Sequence, residues 1–360
     1  MTATPTAVSL FSGCGGLDLG FQNAGFEILL GVDNDPHSAS SHAINFPKAR
    51  FFRGSIADFS RAEAVKLVDA DRLDSVDVLI GGPPCPPFSK SRFYRTDKPR
   101  AMQDPVGEVT INGYLATLRW LLPKAFVLEN VAGMAFKVHS ETLAYIVAQA
   151  EALGYKCEFR VLNAADFGVP QIRQRFFLVG VRSGVFAWPQ PTNIDPKSSE
   201  NLPLPPWETA GSVLNDLDTE ELADDEGHYA GGRHHDLLKL IPPGDNYLFL
   251  TERRGYPDPQ FEWRKRYWSF LLKLSPEMPS WTIQARRSNN MGPLHWRNRI
   301  LRIDEVKRLQ TFPDDWFLSG KVEDQWRQVG NAVPPQLGRA LGNSVADHLA
   351  SLSTSGARAA

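Results

Sequence analysis

The residue best suited to chemistry is a cysteine held in a stiff loop. Cys85 follows an apolar run at 78–80 and two glycines, and two prolines stand on either side of it. An apolar run that ends at Gly81 and Gly82 is typical of a buried parallel strand reaching its carboxyl end. Prolines fix φ and supply no N–H, so the loop cannot continue as a helix. A rigid thiol at the ligand-binding edge of an α/β sheet is placed for nucleophilic attack, and a free cysteine packed in a turn is the alternative.

A carboxylate and two arginines could act beside that thiol. Glu129 follows the apolar run 125–128 and so lies at the same predicted edge, where a buried carboxyl group with a raised pKa can act as a general acid. Gln171, Arg173 and Arg175 alternate, which places them on one face of a predicted strand. The alternatives are a glutamate that caps the next helix and a polar strand face in contact with solvent. Both remain open from the residues alone.

A glycine-rich turn and an acid predict a nucleotide-like ligand at the first two strands. The turn at 12–16 follows a short apolar strand and precedes a helical pattern, and its glycines let the backbone approach a ligand. Asp33 ends the second strand, where ribose hydroxyls are held in nucleotide-binding α/β folds. The turn lacks the GxGxxG spacing of dinucleotide-binding proteins. A tight turn without a ligand and an N-cap carboxylate are the alternatives.

Strand and helix patterns alternate through the first 180 residues, which predicts an α/β fold with a doubly wound, mostly parallel sheet. The predicted strands are 7–11, 27–33, 50–56, 77–80, 125–131, 157–162 and 171–179, and the predicted helices are 17–24, 62–68, 113–122 and 141–153. A last helix is predicted to begin within 326–335 and to run to about residue 349.

Composition changes after residue 188. Prolines and an acidic run at 216–226 predict a connector. The segment 252–308 then carries 13 lysines and arginines against 6 acids, a net charge of +7 that suits a surface facing phosphates. Its aromatic residues are expected to lie mostly in the core of a small domain; they are Trp263, Tyr267, Trp268, Trp281 and Trp296.

These changes predict two domains. We expect residues 1–188 with 325–360 to form one domain, and 189–324 to form a smaller second domain with its connector. The polar loop 89–108 holds five basic residues and is long for a connection, which favours a lid over the site. A solvated loop without function is the alternative.

The composition of the whole chain is that of a globular protein. Its 360 residues are 42% hydrophobic and 22% charged, with a formal net charge of −2 that gives no global sign of nucleic-acid binding. The three distant cysteines give no disulfide framework and no metal-binding pattern, which favours a reducing compartment. Neither a signal peptide nor an apolar run of about 18 residues is present. We therefore expect a cytoplasmic protein of a prokaryotic cytosol or nucleoid, without a membrane anchor.

Taken in order, the motifs resemble those of C5-specific DNA cytosine methyltransferases. The resemblance covers nearly all of residues 8–350 and is thin between 183 and 295, where members of that family read different DNA sequences. The matching motifs are LFSGCGG at 10–16, GPPCPPFS at 82–89, ENV at 129–131, QIRQR at 171–175, Arg299 with Glu305, RLQTFP at 308–313 and GNAV at 330–333.

The resemblance implies that residues 1–188 with 325–360 form a catalytic domain whose Rossmann-like methyltransferase sheet binds S-adenosylmethionine. It also implies that 189–324 form a target-recognition domain, which faces the catalytic domain across a cleft that holds DNA. The adenine would stack on Phe11, the ribose would meet Asp33, and the methionine moiety would pass beside the glycine turn. The residues implied for this cofactor are Phe11, Ser12, Gly13, Gly15, Gly16, Asp33, Asn34, Ser55, Ile56, Pro84, Asn331 and Ala332. The chain departs from the family pattern at Ser9 and Ser55, which replace acids, and at Asn34, which replaces an aromatic residue. These departures bear on cofactor affinity.

The same resemblance implies a covalent reaction. Cys85 would attack C6 of cytosine, Glu129 would protonate or hydrogen-bond N3, and Arg175 with Arg173 would hold O2. The C5 carbon would then take the methyl group, and loss of the C5 proton would release Cys85. Because both ring faces must be reachable, the base must be flipped out of the duplex.

The partner implied is double-stranded DNA, with a companion restriction endonuclease as a functional partner and the protein itself a monomer. Other interpretations stay open. A tRNA cytosine methyltransferase would share the chemistry, although its Cys-Phe-Thr signature is missing from the recognition segment. A catalytically silent DNA-binding relative would not need Cys85 and Glu129. An NAD-dependent oxidoreductase would account for the glycine turn and Asp33 and not for the proline-flanked cysteine.

Overall fold

A seven-stranded sheet forms the centre of the protein. The computed structural model describes residues 4–84, 101–199, 202–219 and 230–358, so Cys85 and residues 89–100 of the predicted lid lie outside the described residues. The sheet has the order β3-β2-β1-β4-β5-β8-β6. Its strands are β1 (Thr6–Leu10), β2 (Glu27–Asp33), β3 (Arg50–Arg53), β4 (Val78–Gly81), β5 (Ala125–Val131), β6 (Lys156–Asn163) and β8 (Gln174–Val181). The short strands β7 (Gln171–Ile172) and β9 (Ser280–Trp281) pair separately.

The strands from β3 to β5 run parallel, and β8 runs antiparallel to both β5 and β6. The predicted α/β class and mostly parallel sheet are therefore confirmed. The helices of the described residues are α1 (Gly16–Asn23), α2 (Pro36–Asn45), α3 (Arg61–Ala64), α4 (Ala70–Asp74), α5 (Pro105–Leu121), α6 (Ser140–Glu151), α7 (Ala210–Leu214), α8 (His235–Leu240), α9 (Ile303–Leu309), α10 (Val322–Asn331) and α11 (Pro335–Arg358). Within the part of the chain that is described, no helix combines the length and apolar character that a membrane crossing needs.

Both faces of the sheet are covered, which explains its nearly continuous apolar strands. Helices α1 and α11 pack together on one face, and α5 and α6 lie on the other. The pairing of α1 with α11 depends on glycine, because a Cβ on Gly20 would lie 2.6 Å from the Cα of Gly338. The apolar cluster on the α1 face continues into residues 210–301. The segment 189–324 thus shares a core with the sheet, and its boundaries as a domain stay a prediction.

Helix α5 begins earlier than the pattern at 113–122 predicted. It starts at Pro105, and the Asp104 side chain caps it by accepting a hydrogen bond from the Val106 N–H at 2.9 Å. An aspartate followed by proline is a favourable helix start, since proline at the first position has no N–H to satisfy. The end of the predicted lid, from residue 105 onward, is therefore helical rather than loop.

Three other predicted elements are wrong in detail. The helix at 62–68 is limited to α3, after which the chain continues in turns, with the Leu67 N–H donating to Ala64 O at 3.0 Å. The strand at 171–179 is interrupted at Arg173, between β7 and β8. The helix predicted to begin within 326–335 is two helices, because Pro334 and Pro335 disfavour helical backbone in the residues before them.

Candidate active site

Parallel strands carry the predicted site residues to one edge of the sheet. Asp33 ends β2, Gly82 follows β4, and Glu129 lies near the end of β5. Since parallel strands end together, these three residues share the carboxyl edge. Arg175 reaches the same edge from the antiparallel strand β8, where it lies opposite Val131. The strand order places the predicted cofactor residues on the β1–β3 side and the predicted catalytic residues on the β4–β8 side.

Glu129 and Arg175 form a buried ion pair. The Nε atom of Arg175 lies 3.0 Å from Oε1 of Glu129, and the two side chains are 11% and 6% exposed. The alignment of this N–H does not make a hydrogen bond, so Oε1 is buried without a hydrogen-bond partner among the described residues. A buried polar oxygen normally has a partner. The open position therefore suits a polar group of a ligand.

Burial raises the pKa of Glu129, and the nearby guanidinium groups of Arg175 and Arg173 lower it by less. The net direction is upward because desolvation disfavours the charged carboxylate. A carboxyl group of this kind keeps its proton to a higher pH than an exposed glutamate, which is the property a general acid needs.

The segment before Cys85 is fixed to β5 by two contacts. The Asn130 side chain donates a hydrogen bond to Pro83 O at 3.1 Å. A Cβ on Gly82 would lie 2.6 Å from Oε2 of Glu129, so this position needs glycine for the carboxylate to fit. Gly82 and Asn130 both belong to sequence motifs described above, at 82–89 and 129–131. The motifs alone do not indicate that these two residues hold the segment before Cys85 against β5. The contacts place Gly82 directly against Glu129 and Pro83 against Asn130.

Arg173 has partners other than a base. Its side chain is fully buried and donates to Ile283 O at 2.9 Å, to Gly330 O at 2.8 Å and to Ala332 O at 3.0 Å. The alternation of 171–175 is confirmed, because Gln171 and Arg175 are buried as well and Gln174 is exposed. The interpretation as a solvated strand face is therefore wrong. Arg173 ties the strand break to the α10–α11 link, and Arg175 is the arginine that contacts Glu129.

The glycine turn is held by Asp33. Its carboxylate accepts hydrogen bonds from the N–H groups of Gly13 and Asp35, each at 2.9 Å. Burial raises the pKa of Asp33, and these two hydrogen bonds oppose the shift. Ser12 connects the neighbouring strands, since its hydroxyl donates to Ser9 O and accepts from the Val32 N–H. The acid and the turn predicted to share a ligand are thus directly connected.

The residues around this turn fit a nucleoside ligand. A Cβ on Gly13 would meet no atom within 4 Å, so the turn borders open space, and its φ of +54° favours glycine. Gly15 and Gly16 are closely packed against the protein. A Cβ on Gly15 would lie 2.3 Å from the Phe46 ring, and a Cβ on Gly16 would lie 2.4 Å from Val333 O. The turn is therefore supported on one side and open on the other.

The remaining predicted cofactor residues lie at the same edge with different exposure. Asn34 and Asn331 are exposed and Ile56 is buried, while Phe11, Ser55, Pro84 and Ala332 are half-buried. Ser55 accepts a hydrogen bond from the Ala57 N–H at 3.2 Å. Asn331 is the last residue of α10 rather than the start of a helix, and Ala332 approaches Gly16. The chain segment after α10 thus reaches the glycine turn.

A buried polar chain beneath the turn was not expected from the sequence. The Ser9 hydroxyl donates to Asp18 at 2.6 Å, and Nε2 of His42 lies 2.8 Å from the other oxygen of Asp18. All three residues are at most 1% exposed, so they cannot meet a substrate. Ser9 stands where the family pattern has an acid. The hydrogen-bonding capacity of its hydroxyl is used by Asp18, an aspartate of α1.

The two cysteines of the described residues are poor nucleophiles. Burial raises the pKa of the Cys14 thiol far above its ordinary value, and it raises the pKa of Cys157 to about 12. A thiol rather than a thiolate is present at neutral pH in both, and only the thiolate attacks. Cys85 lies outside the described residues, so its role remains a prediction.

Known proteins share the sequence and the fold of this chain. A family model described as C-5 cytosine-specific DNA methylase matches residues 6–347. The Type II methyltransferase M.SacI of Streptomyces achromogenes is 34% identical over 380 residues, covering 97% of this chain and 94% of the relative. The Type II methyltransferase M1.HphI of Haemophilus parahaemolyticus is 32% identical, covering 94% and 86%. A solved structure from an E. coli prophage, described as a candidate DNA modification methyltransferase, has a TM-score of 0.67 at 20% identity, over 96% of this chain and 99% of that one.

Proposed function

The chain belongs to the C-5 cytosine-specific DNA methylase family, and we propose that it methylates a cytosine flipped out of duplex DNA through a covalent bond to Cys85. The observation that carries this proposal is the buried Glu129–Arg175 pair at the carboxyl edge of the sheet, with Gly82 packed against the Glu129 carboxylate. A carboxyl group with a raised pKa and a guanidinium beside it match the N3 and O2 atoms of cytosine.

Cys85 provides the activation that the base requires. The C5 carbon of cytosine is a weak nucleophile, and addition of the Cys85 thiolate to C6 turns the ring into an enamine. As the C–S bond forms, the electron pair of the C5–C6 double bond shifts to C4–C5, and the pair of the N3–C4 double bond moves to N3, which takes a proton from Glu129. Methylation at C5, loss of the C5 proton to a base and departure of Cys85 then restore the aromatic ring.

Glu129 and Arg175 manage the charge that this addition creates. The protonated Glu129 carboxyl donates to N3, and Arg175 donates to O2, where negative charge would otherwise build up. Arg173 acts at a distance by holding the carbonyl groups of Ile283, Gly330 and Ala332. We therefore assign the contact with O2 to Arg175 alone.

The glycine turn and Asp33 would hold S-adenosylmethionine, which supplies the methyl group when bound. The open side of Gly13 and the connection of its N–H to Asp33 support this placement. Phe11, Ser55 and Ile56 would border the adenosine, and Asn331 and Ala332 would close the turn from α10. Because Ser55 provides a hydroxyl and not a carboxylate, we expect weaker binding of the adenine amino group than an acid would give.

We further propose the setting of the reaction. The substrate is a specific duplex sequence, the protein acts as a monomer in the cytosol, and a companion endonuclease cuts the unmethylated site. The support is the relatives, which are named Type II methyltransferases. The recognition surface would come from the segment 189–324, whose part at 252–308 carries the net positive charge.

Transfer of labelled methyl groups from S-adenosylmethionine to unmethylated duplex DNA tests the reaction. We expect label as 5-methylcytosine with the wild-type protein, none with Cys85→Ala, and none with tRNA. A duplex with 5-fluorocytosine at the target should trap the enzyme covalently, because C5 then carries no proton to lose. Cys157→Ala is the matched control, since the pKa of this thiol is raised and it should keep full activity.

Turnover by Cys85→Ala would disprove the covalent step. Label in tRNA alone would show that the protein is a tRNA cytosine methyltransferase and that DNA is not its substrate. If labelled methyl is transferred to neither substrate while S-adenosylmethionine still binds, and DNA with many different sequences has been supplied, the protein is a silent relative.

A further inference from the structure

We infer that three exposed aromatic side chains form a surface that stacks on the nucleobases of the bound DNA that lose a stacking neighbour when the target cytosine leaves the duplex. They are Tyr267, Trp268 and Trp281, and we call them the aromatic ridge. This inference rests on the proposed function, because it takes duplex DNA as the substrate. It assigns to the aromatic ridge the part of substrate binding that is neither the flipped cytosine nor the phosphate backbone.

The side chains of the aromatic ridge are exposed, although large aromatic side chains are usually mostly buried in a folded protein. Tyr267 is 80% exposed, Trp268 is 48% exposed and Trp281 is 36% exposed. The sequence pattern predicted that the aromatic residues of this segment lie mostly in a core, and that prediction is wrong for all three. Trp296 fits it, since it packs against the apolar cluster. Trp268 and Trp281 are in contact with each other, and exposed aromatic surface of this kind marks an interaction site.

The two tryptophans support each other. Their ring centroids are 4.5 Å apart with an interplanar angle of 75°, the edge-to-face arrangement that aromatic pairs favour. The Asn246 side chain also donates to Trp268 O at 2.8 Å, which fixes the backbone there. A preorganised aromatic surface loses little entropy when a base stacks on it.

The backbone connects the aromatic ridge to the chain segment that leads into β8 and Arg175. Trp281 lies in β9 opposite Ile172 of β7, three residues before Arg175. This short ladder is reinforced by the Thr282 hydroxyl, which donates to Ile172 O at 2.8 Å. The inward residues Gln171 and Ser280 are fully buried, so Trp281 points away from them into the exposed side. The β7–β9 pair therefore fixes the backbone of Trp281 against the segment that precedes Arg175.

The positive charge beside the aromatic ridge favours nucleic acid as the ligand of this surface. Arg264, Lys265 and Arg266 directly precede Tyr267 and are exposed. Neither Arg264 nor Arg266 forms an ion pair with any described carboxylate; the first lies over the Trp263 ring and the second over Phe270. A cavity of about 560 Å³ opens on the same segment, and its lining includes three cations, two aromatic rings and two acids: Arg253, Lys265, Arg266, Phe261, Trp263, Glu252 and Glu262. Cations alternating with aromatic faces suit phosphates and bases together.

Substitutions in the aromatic ridge test the inference by the affinity for DNA. Trp268→Ala and Trp281→Ala should each raise the Kd for an unmethylated target duplex about tenfold or more, measured by fluorescence anisotropy at fixed salt. Trp268→Phe should recover most of the affinity, because a phenyl ring still stacks. The KM for DNA should rise with little change in kcat at saturating DNA, and the affinity for S-adenosylmethionine should stay the same.

Tyr145→Ala is the matched control. Tyr145 is 40% exposed and lies on α6, which packs on the face of the sheet opposite the apolar cluster that continues into residues 210–301, so its loss should leave the Kd unchanged. Thermal melts followed by circular dichroism verify that each variant is folded. If Trp268→Ala does not fold, Trp268→Phe and Trp281→Ala still test the inference.

Three outcomes overturn the inference. One is an unchanged Kd for both tryptophan variants while wild-type methylation of DNA proceeds, which removes the aromatic ridge and leaves the proposed function intact. Another is a wild-type protein that neither binds nor methylates duplex DNA, which removes both. The third is a change in sedimentation behaviour on Trp268→Ala without a change in Kd, which makes this surface an interface between copies of the chain.

Discussion

At the scale of single residues, Glu129 is subject to two opposing influences. Burial raises its pKa and the guanidinium of Arg175, 3.0 Å away, lowers it, with burial the larger cause. The family motif identifies this glutamate in the sequence. The sequence does not show that the adjacent Gly82 has no room for a Cβ or that Asn130 fixes Pro83. Those contacts join residues 47 positions apart and depend on the pairing of β4 with β5.

Glu129→Gln tests the role of the raised pKa. Glutamine can hydrogen-bond N3 but cannot deliver a proton, so we expect kcat to fall by roughly 10²- to 10⁴-fold. The wild-type rate should decline as the pH rises through the raised pKa of Glu129, because the protonated carboxyl is the active form. Rates measured from about pH 5 to pH 9 should show this decline in the wild type and not in the variant. An identical alkaline decline in both would assign it to another group.

At the scale of elements, Arg173 joins three parts of the chain that are distant in sequence. It lies between β7 and β8 and donates to carbonyls in the strand region after β9 and in the α10–α11 link. The Asp18–His42 pair has a similar role between α1 and α2. Both groups are fully buried, so the cost of losing one partner would be the cost of an unsatisfied buried polar group.

Arg173→Met should destabilise the protein by about 3 kcal/mol or more, since three carbonyls lose a charged donor. Affinity for S-adenosylmethionine should fall as well, because Ala332 would no longer be held against Gly16. Chemical denaturation and a cofactor titration measure the two effects. Arg339→Met, on the exposed side of α11, is the control and should shift stability by no more than about 0.5 kcal/mol. Equal stability of the two variants would show that the Arg173 contacts are not needed.

The elements also show how far the sequence could be interpreted. The parallel strands and their shared edge were predictable chiefly from β2, β4 and β5, because apolar runs that end at an Asp, a Gly or a Glu have little alternative in an α/β pattern. The Asp104–Pro105 pair marks the start of α5 in the sequence. The basic run before this pair favours a loop and so conceals the helix start. The interruption at Arg173 was not predictable, since it depends on β9, more than 100 residues away. The exposure of Trp268 and Trp281 likewise follows from tertiary contacts and not from residue type.

At the scale of the whole molecule, positive charge is segregated. The chain has a net charge of −2, yet 252–308 carries +7. Part of that excess is neutralised inside the protein: Asp216 pairs with Arg308 and Asp218 with Arg297, so the described end of the acidic run binds the basic segment. The exposed arginines of the segment that form no ion pair with a described carboxylate are Arg253, Arg264, Arg266 and Arg286. These four define the surface that remains for phosphates.

DNA binding should therefore depend on salt although the protein is acidic overall. Each arginine that meets a phosphate adds about 0.9 to the negative slope of log K against log salt concentration, so Arg264→Gln or Arg286→Gln should each reduce that slope by about 1. Arg254→Gln is the control, because Arg254 already pairs with Asp245 at 2.7 Å and should change the slope less. Binding measured at four or more salt concentrations gives the slopes. The same slope for Arg264→Gln, Arg286→Gln and the wild type would place the phosphate contacts elsewhere and leave the segment's positive charge without a role in DNA binding.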